Sequence, residues 1–265
     1  MGREDTNGVI PDLDIDKRRQ RILELLNKDG KVKVFELSKL FGISEVTIRN
    51  DLSELEAGGM LERIHGGAVS THKFYYNMSM LDRMKTNEAE KRKIAVACAA
   101  MISDGDTVMI NSGTTTLFTV CELKRVKNLT IVTNSIAISQ EVGYYSDIHV
   151  ILLGGNLNHQ YQFTYGDDTV SQLRKYKADK LILSVDGVDT EEGVTTYHHM
   201  EAEVNRQMLS RVNKTIVVAD YTKIGRSSFA YIDSIENADV LITNQEANRD
   251  EIKLIKEKGI ETRLV

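Results

Sequence analysis

A glycine-broken pair of short amphipathic helices closed by a hairpin, followed by seven apolar strand-like runs alternating with helical stretches, predicts a two-domain chain. The first unit reads as a mostly α winged helix-turn-helix and the second as an α/β domain of Rossmann-like type. Length agrees, since 265 residues correspond to two domains at about 150 residues each. The reading divides the chain into a mobile tail over 1–15, a first domain over 16–72, a linker over 73–87 and a second domain over 88–265.

Composition sets the limits. With 28% charged and 41% hydrophobic residues, the chain suits a globular, water-soluble protein. No apolar run approaches the roughly 20 residues of a membrane helix, and the N-terminus MGREDTNG is polar and acidic. The expectation is a cytoplasmic protein with no membrane partner. Gly2 followed by Thr6 fits a loose myristoylation pattern, but the Arg3-Glu4-Asp5 context argues against it. Cys98 and Cys121 sit among apolar residues without a CxxC or Cys/His cluster, which reads as buried reduced thiols and no metal site. The net charge of −5 is unevenly spread, with residues 16–72 carrying ten Lys and Arg against nine Asp and Glu. A near-neutral unit of this kind binds a polyanion through placed side chains, not through bulk attraction.

In the first unit, Ile22, Leu25 and Leu26 recur at helical spacing until Asn27-Lys28-Asp29-Gly30. A KVKV stretch precedes Leu37, Leu40 and Phe41, one short apolar face ending at Gly42. Ser44 stands where an N-cap belongs, before EVTIRNDLSELE. In that helix Ile48, Leu52 and Leu55 fall within about 60° of arc and form the buried stripe. Val46, Arg49, Asn50 and Ser53 take the opposite side, with Thr47 at its flank, and Gly58-Gly59 ends the helix. MLERI alternates, and His65-Gly66-Gly67-Ala68 reads as a tight hairpin or its exit.

A helix enters the major groove only if its neighbour stands aside, and its exposed N-terminal residues then meet base edges. Arg49 suits guanine and Asn50 adenine, while Ser44 and Thr47 suit phosphates. The candidate DNA-contacting set is the basic run Lys17, Arg18, Arg19 and Arg21, then Ser44, Glu45, Val46, Thr47, Arg49 and Asn50, and Arg63, His65 and Gly66 of the hairpin. The same pattern also serves three-helix protein-interaction modules.

Residues 73–90 show little periodicity, with Tyr75, Tyr76 and Met78 as their bulky apolar members. From Glu88 a helix places Ile94, Ala97, Cys98 and Met101 on one face. Seven strand-like runs follow, at 107–110, 129–133, 148–153, 180–185, 215–219, 239–243 and 260–265. Continuous apolar strands between helices predict a largely parallel sheet covered on both faces.

Ligands of such sheets sit beyond the carboxyl ends of the strands. The first strand runs into Asn111-Ser112-Gly113-Thr114-Thr115-Thr116, where hydroxyls and backbone N–H groups at a helix N-terminus suit an anion. The second ends in Thr133-Asn134-Ser135, the third in Gly154-Gly155, the fourth in Asp186-Gly187, and the fifth leads to Asp220 and Lys223. There is no GxGxxG or Walker A lysine, so a small phosphorylated ligand is expected in place of NAD or ATP, and no cofactor is called for. His198 and His199 lack a matching carboxylate spacing and read as surface or pocket residues. Tyr161, Phe163 and Tyr165 either line a sugar pocket or pack beneath a loop.

The segment RRQRILELLNKDGKVKVFELSKLFGISEVTIRNDLSELEAGGMLERIHGGA closely resembles the helix-turn-helix of DeoR-type bacterial transcriptional regulators. The resemblance continues in order through NSGTTT, VTNS, LLGG, DGV, GVTT with EAEVNRQM, and ADYTKIGR, covering about residues 16–243. It implies an operator-binding repressor of a carbohydrate operon, acting as a homo-oligomer and released by a phosphorylated sugar. The second domain would have the isomerase/CoA-transferase type of fold. By the same resemblance, Ser112 to Thr116 with Thr133 and Asn134 would hold the phosphate, and Asp186, Glu201 and Lys223 would surround the sugar. The wider effector set adds Asn111, Gly154, Gly155 and Gly187. Three departures stand out: Asn111 where the family often has Asp, Asn50 where Arg is common, and Tyr221, Thr222 and Ile224 in place of two serines and a Phe. The rival reading is an enzyme, because Asp186, Glu201 and Lys223 are the residue types an aldose–ketose isomerase needs.

Overall fold

A computed structural model describes residues 14–29, 31–58, 60–70 and 78–265. Of the tail expected over 1–15, residues 1–13 lie outside the described residues, as do Gly59 and the pair Tyr75-Tyr76, while Ile15 already starts the first helix. The chain forms two units whose boundary falls between Asn87 and Glu88.

The first unit contains α1 (Ile15–Asp29), β1 (Lys31–Lys33), α2 (Val34–Phe41), α3 (Glu45–Ala57), β2 (Leu61–Ile64) and β3 (Gly67–Ser70). The three strands make an antiparallel sheet in the order β1-β3-β2. His65 and Gly66 form the turn between β2 and β3, so the hairpin turn itself falls at these residues. Gly42 ends α2 in the left-handed conformation at φ 65°, which only glycine takes without strain. Ile22, Leu26, Leu37, Phe41, Ile48 and Leu52 meet in one core. The sequence reading placed a linker over 73–87, but a further helix, α4 (Met80–Lys85), lies within it, N-capped by Ser79, with Met80 buried and α1 as a neighbour. Six residues are too few for hydrophobic periodicity to reveal.

The second unit opens with α5 (Glu88–Ala99) and then alternates: β4 (Thr107–Ile110), α6 (Thr114–Glu122), β5 (Leu129–Thr133), α7 (Ile136–Val142) and β6 (Ile148–Leu152). A hairpin follows, β7 (Asn156–Asn158) and β8 (Phe163–Tyr165), then α8 (Asp167–Leu173) and β9 (Ala178–Ser184). Next come β10 (Gly187–Asp189), β11 (Gly193–Thr196), α9 (His199–Leu209) and β12 (Val212–Val218). The chain ends with β13 (Ala230–Asp233), β14 (Val240–Thr243), α10 (Arg249–Glu257) and β15 (Glu261–Leu264).

All seven strand-like runs of the sequence join one parallel sheet, in the order β15-β14-β12-β9-β4-β5-β6. Successive connections run outward from β4 in one direction, then restart from β9 in the other. Right-handed crossovers therefore put α6 and α7 on one face and α9 on the opposite face. The β4/β9 boundary, where Ile110 is the register partner of Ile182, is the topological switch point at which such sheets bind ligands. A small antiparallel sheet, β10-β11-β13, stands apart from the main one. Burial pushes the Cys98 thiol on α5 up to about 12, although Thr119 of α6 hydrogen-bonds it. The half-buried Cys121 thiol is also raised, by burial and then by neighbouring Glu141.

Candidate nucleic-acid interface and effector site

On α3 the buried stripe turns Val46 (63% exposed), Arg49 and Asn50 outward. The Thr47 N–H donates to Ser44 Oγ at 3.1 Å and the two hydroxyls lie 2.9 Å apart, so these side chains first serve to start the helix. Arg49 folds back one turn to Glu45, 2.5 Å away. A guanine edge must therefore compete with that carboxylate for the guanidinium.

The basic run does not act as one patch. Lys17 is exposed and Arg21 pairs with Glu24 at 2.5 Å. Arg18 and Arg19 instead turn inward, their Nε atoms 2.7 and 3.1 Å from the two oxygens of Asp51, which is 1% exposed. The sequence reading gave both arginines to DNA, whereas here their guanidinium Nε groups tie α1 to α3. The cause is Asp51, a buried carboxylate that draws cationic partners inward. Arg63 is likewise engaged, 2.8 Å from Glu56. The Arg63 N–H, and then its guanidinium, hold the Glu56 carboxyl below the ordinary range. His65 and Gly66 stand exposed at the hairpin tip.

In the second unit the predicted residues divide into those whose side chains hold the strand ends together and those whose hydroxyls or carboxylates lie at the mouth of the switch point. Asn111 belongs to the first group. Its Oδ1 accepts from the Ser184 N–H at 2.8 Å and its Nδ2 donates to the Ser184 carbonyl at 2.8 Å and to Asn205 Oδ1 at 3.2 Å. Gly113 follows because a Cβ there would stand 2.6 Å from that of Ser184. Thr116 donates to backbone carbonyls within its own turn, and Thr133 to Ile110 O at 2.7 Å. Ser112 donates to Tyr161 O at 3.2 Å, fastening the β7–β8 hairpin over the end of β4. Asn134 donates to Thr164 O, while its buried Oδ1 has no partner among the described residues. Gly154 and Gly155, read as backbone for a ligand, instead admit α8: a Cβ on Gly155 would lie 2.2 Å from Thr169 Oγ1.

Thr114 and Thr115 form the second group. Both are buried at the first turn of α6, and no partner for either hydroxyl exists among the described residues. The first N–H groups of a helix have no intrahelical acceptor, so this turn offers hydroxyls and amides to an anion. Around the end of β9, the Tyr197 N–H donates to Asp186 Oδ2 at 3.0 Å, and the Thr196 hydroxyl lies 3.1 Å from Asp186 Oδ2 and 3.2 Å from Glu201 Oε2. One hydroxyl proton satisfies only one of these two carboxylates at a time. Gly187 packs against the Arg226 carbonyl beside them. Lys223 is buried on the turn after Asp220. Burial would raise the Asp220 carboxyl, but the Lys223 and Lys91 ammoniums and Thr222 outweigh it and hold it below the usual range.

The aromatic residues pack together. Tyr161 meets the His198 ring edge-on at 4.6 Å between centroids, with Phe163 at 6.1 Å and Tyr197 at 5.2 Å from the same ring. A cavity of about 380 Å³ lies between α8 and α9, lined by Tyr165, His199, Met200 and Arg206 among others. Of the residues read as possible pocket liners it touches Tyr165 and His199, and none of the expected effector set. No group of three or more His, Cys, Asp or Glu is placed to hold a metal among the described residues. Sequence reasoning missed Thr196, Asn205, Ser184 and Lys91, whose partners are all distant in sequence except those of Thr196 in the GVTT motif.

A capped recognition helix with a strand hairpin, joined to a parallel-sheet domain with polar strand ends at its switch point, defines a DNA-binding transcription regulator with a sensor domain. Residues 18–74 match the DeoR-like helix-turn-helix domain, and residues 86–245 match the DeoR C terminal sensor domain. The chain belongs to the DeoR family. It is 33% identical to the HTH-type transcriptional regulator GolR of Listeria innocua, over 94% of this chain and 98% of that protein. It is 31% identical to the HTH-type transcriptional repressor GlcR of Bacillus subtilis, over 93% and 95%. Among solved structures, a probable sor operon regulator from Shigella flexneri aligns at a TM-score of 0.42 and 12% identity, over 67% of this chain and 91% of that one.

Proposed function

We propose that this regulator represses a carbohydrate-utilisation operon and leaves its operator when a phosphorylated sugar binds the β4/β9 switch point. The observation that carries the reading is the pairing of two chemistries at one place. Thr114 and Thr115 at the start of α6 suit a phosphate, and Asp186, Glu201 and Thr196 suit sugar hydroxyls. Relatives named as repressors, GlcR and the AccR repressor of Agrobacterium fabrum (34% identical, over 91% of this chain and 93% of that protein), support the sign. The protein acts in the cytoplasm as a homo-oligomer that sets two α3 helices on paired half-sites. No helix among the described residues is long and apolar enough to cross a membrane. We read the carboxylates as ligand-holding groups, with no cofactor and no turnover.

The test is binding of the purified protein to the DNA upstream of its own gene, with and without a panel of sugar phosphates. Salt-sensitive binding that one member abolishes supports the reading. Binding indifferent to the whole panel removes the sensor assignment, and measurable isomerisation of a panel member removes the claim of no turnover.

A further inference from the structure

We propose that Val46 is a specificity-determining residue of the operator contact, and that it reads the 5-methyl group of a thymine in the major groove. The proposal rests on the reading of α3 as the helix that enters that groove.

Val46 lies in the first turn of α3, two positions before the buried Ile48 and therefore about 200° around the helix from it. It takes no part in the core where Ile48, Leu52 and Leu55 meet. A lone exposed valine is common on protein surfaces and by itself carries no meaning. Its place gives this one a use. Arg49 and Asn50 follow three and four positions later, both exposed, so the three side chains share one face of the helix.

The neighbours of Val46 in that turn spend polar atoms locally. The Thr47 N–H donates to Ser44 Oγ at 3.1 Å, and the two hydroxyls lie 2.9 Å apart. Glu45 holds the Arg49 guanidinium at 2.5 Å. Val46 is the exposed apolar side chain among them. The N-terminal turn of a recognition helix is the part that meets base edges.

The chemistry of the partner follows from what a valine recognises. Its side chain neither donates nor accepts a hydrogen bond, so a phosphate or a polar base edge loses water beside it and gains nothing in return. The C5-methyl of thymine is the apolar group that unmodified B-DNA shows in its major groove. Valine is nearly fixed at χ1 in a helix, so its methyls are placed before contact and lose little freedom on making it. From Val46 to Arg49 the helix rises about 4.5 Å, against about 3.4 Å per base pair. The thymine should therefore stand within about two base pairs of the one that Arg49 meets.

The experiment uses the full-length protein, which first selects a duplex from a random pool. Each thymine of the selected site is then replaced singly by deoxyuridine, which removes the methyl and keeps every hydrogen-bonding group. Fluorescence anisotropy measures affinity for wild type, Val46→Ala, Arg49→Ala and Asn50→Ala. Val46 is exposed, so its truncation leaves the core untouched. At one thymine wild type should lose affinity by about three- to fivefold, the scale of one apolar methyl contact. Val46→Ala should bind the thymine duplex more weakly by about the same factor and lose less than about 1.5-fold further with deoxyuridine there, the non-additivity of groups in contact. Arg49→Ala should bind more weakly yet keep the deoxyuridine penalty, and it should relax base preference within about two base pairs of that thymine. A wild type indifferent to deoxyuridine at every position overturns the proposal, as does a penalty equally large in Val46→Ala. If Arg49→Ala and Asn50→Ala both bind every duplex like wild type, the placement of α3 in the groove falls and takes the proposal with it. If they weaken binding while Val46→Ala and deoxyuridine act independently, the placement stands and the thymine assignment alone is overturned.

Discussion

The side-chain amide of Asn111 pairs with the backbone of Ser184 as though it were another residue of a sheet ladder, accepting and donating at 2.8 Å each. It closes β4 onto β9 one step past the last register pair, at the point where the sheet reverses its direction of growth. A residue counted in the expected effector set is thereby engaged in joining the two strand ends. Asn111→Asp keeps the acceptor for the Ser184 N–H but sets a carboxylate oxygen against the Ser184 carbonyl and Asn205 Oδ1. The loss should be about 1–3 kcal/mol. Thermal melts should show the variant falling by roughly 2–4 °C per kcal/mol, the usual scale for a domain of this size.

Arg49→Ala should weaken specific operator binding by roughly 1–3 kcal/mol and leave sugar-phosphate binding unchanged. Because Glu45 holds the guanidinium at 2.5 Å, Glu45→Gln should free it and tighten binding to non-specific DNA. Titrations on operator and scrambled duplexes distinguish the two effects.

Arg18 and Arg19 should behave as structural residues. Asp51→Ala removes the buried partner of both, and breaking such a pair costs about 3–5 kcal/mol. Urea unfolding of the variant should show that loss in the first unit. Lys17→Ala should leave stability intact and reduce the slope of log affinity against log salt by roughly 0.9 if Lys17 meets a phosphate.

Thr115→Glu puts a carboxylate into the first turn of α6, where an anion would sit. The variant should remain on its operator at concentrations of the active sugar phosphate that release wild type. An unaltered dose response would remove Thr115 from the site.

Asp220 carries a dependence on acid. Its folded pKa lies below the ordinary 3.8, so its stabilisation is complete above that value and is lost as pH falls through the folded pKa. Stability of the wild-type sensor unit, followed by denaturant midpoints, should decline steeply below about pH 4. Asp220→Asn should be less stable at neutral pH and flatter in acid.

The seven sheet strands were readable because each is a continuous apolar run buried on both faces, a pattern that needs no partner to be recognised. Ser44 and Gly42 were readable for the same local reason, since capping and left-handed turns belong to single residues. The small sheet β10-β11-β13 was not, because strands of three or four residues such as Gly187–Asp189 are too short to show a period. The ion pairs were hidden by distance along the chain. Asp51 lies more than thirty positions from Arg18 and Arg19, and nothing in the basic run marks two of its members as inward-facing. Lys91 was hidden by composition, since EAEKRKIA reads as a solvated helix start although the fold buries Lys91. Of the site itself, the strand-end residues were legible as a group. Which of them join the strand ends to one another was not, because hydroxyls and amides pair with backbone or with a ligand equally well.

The two thiols have a consequence for what kinds of signal this molecule hears. Oxidants and soft metals react with thiolate, and Cys98, at about 12, holds its proton throughout the range in which cells live, with Cys121 shifted the same way. Peroxide should therefore react slowly with both thiols, which mass spectrometry of the treated protein would check.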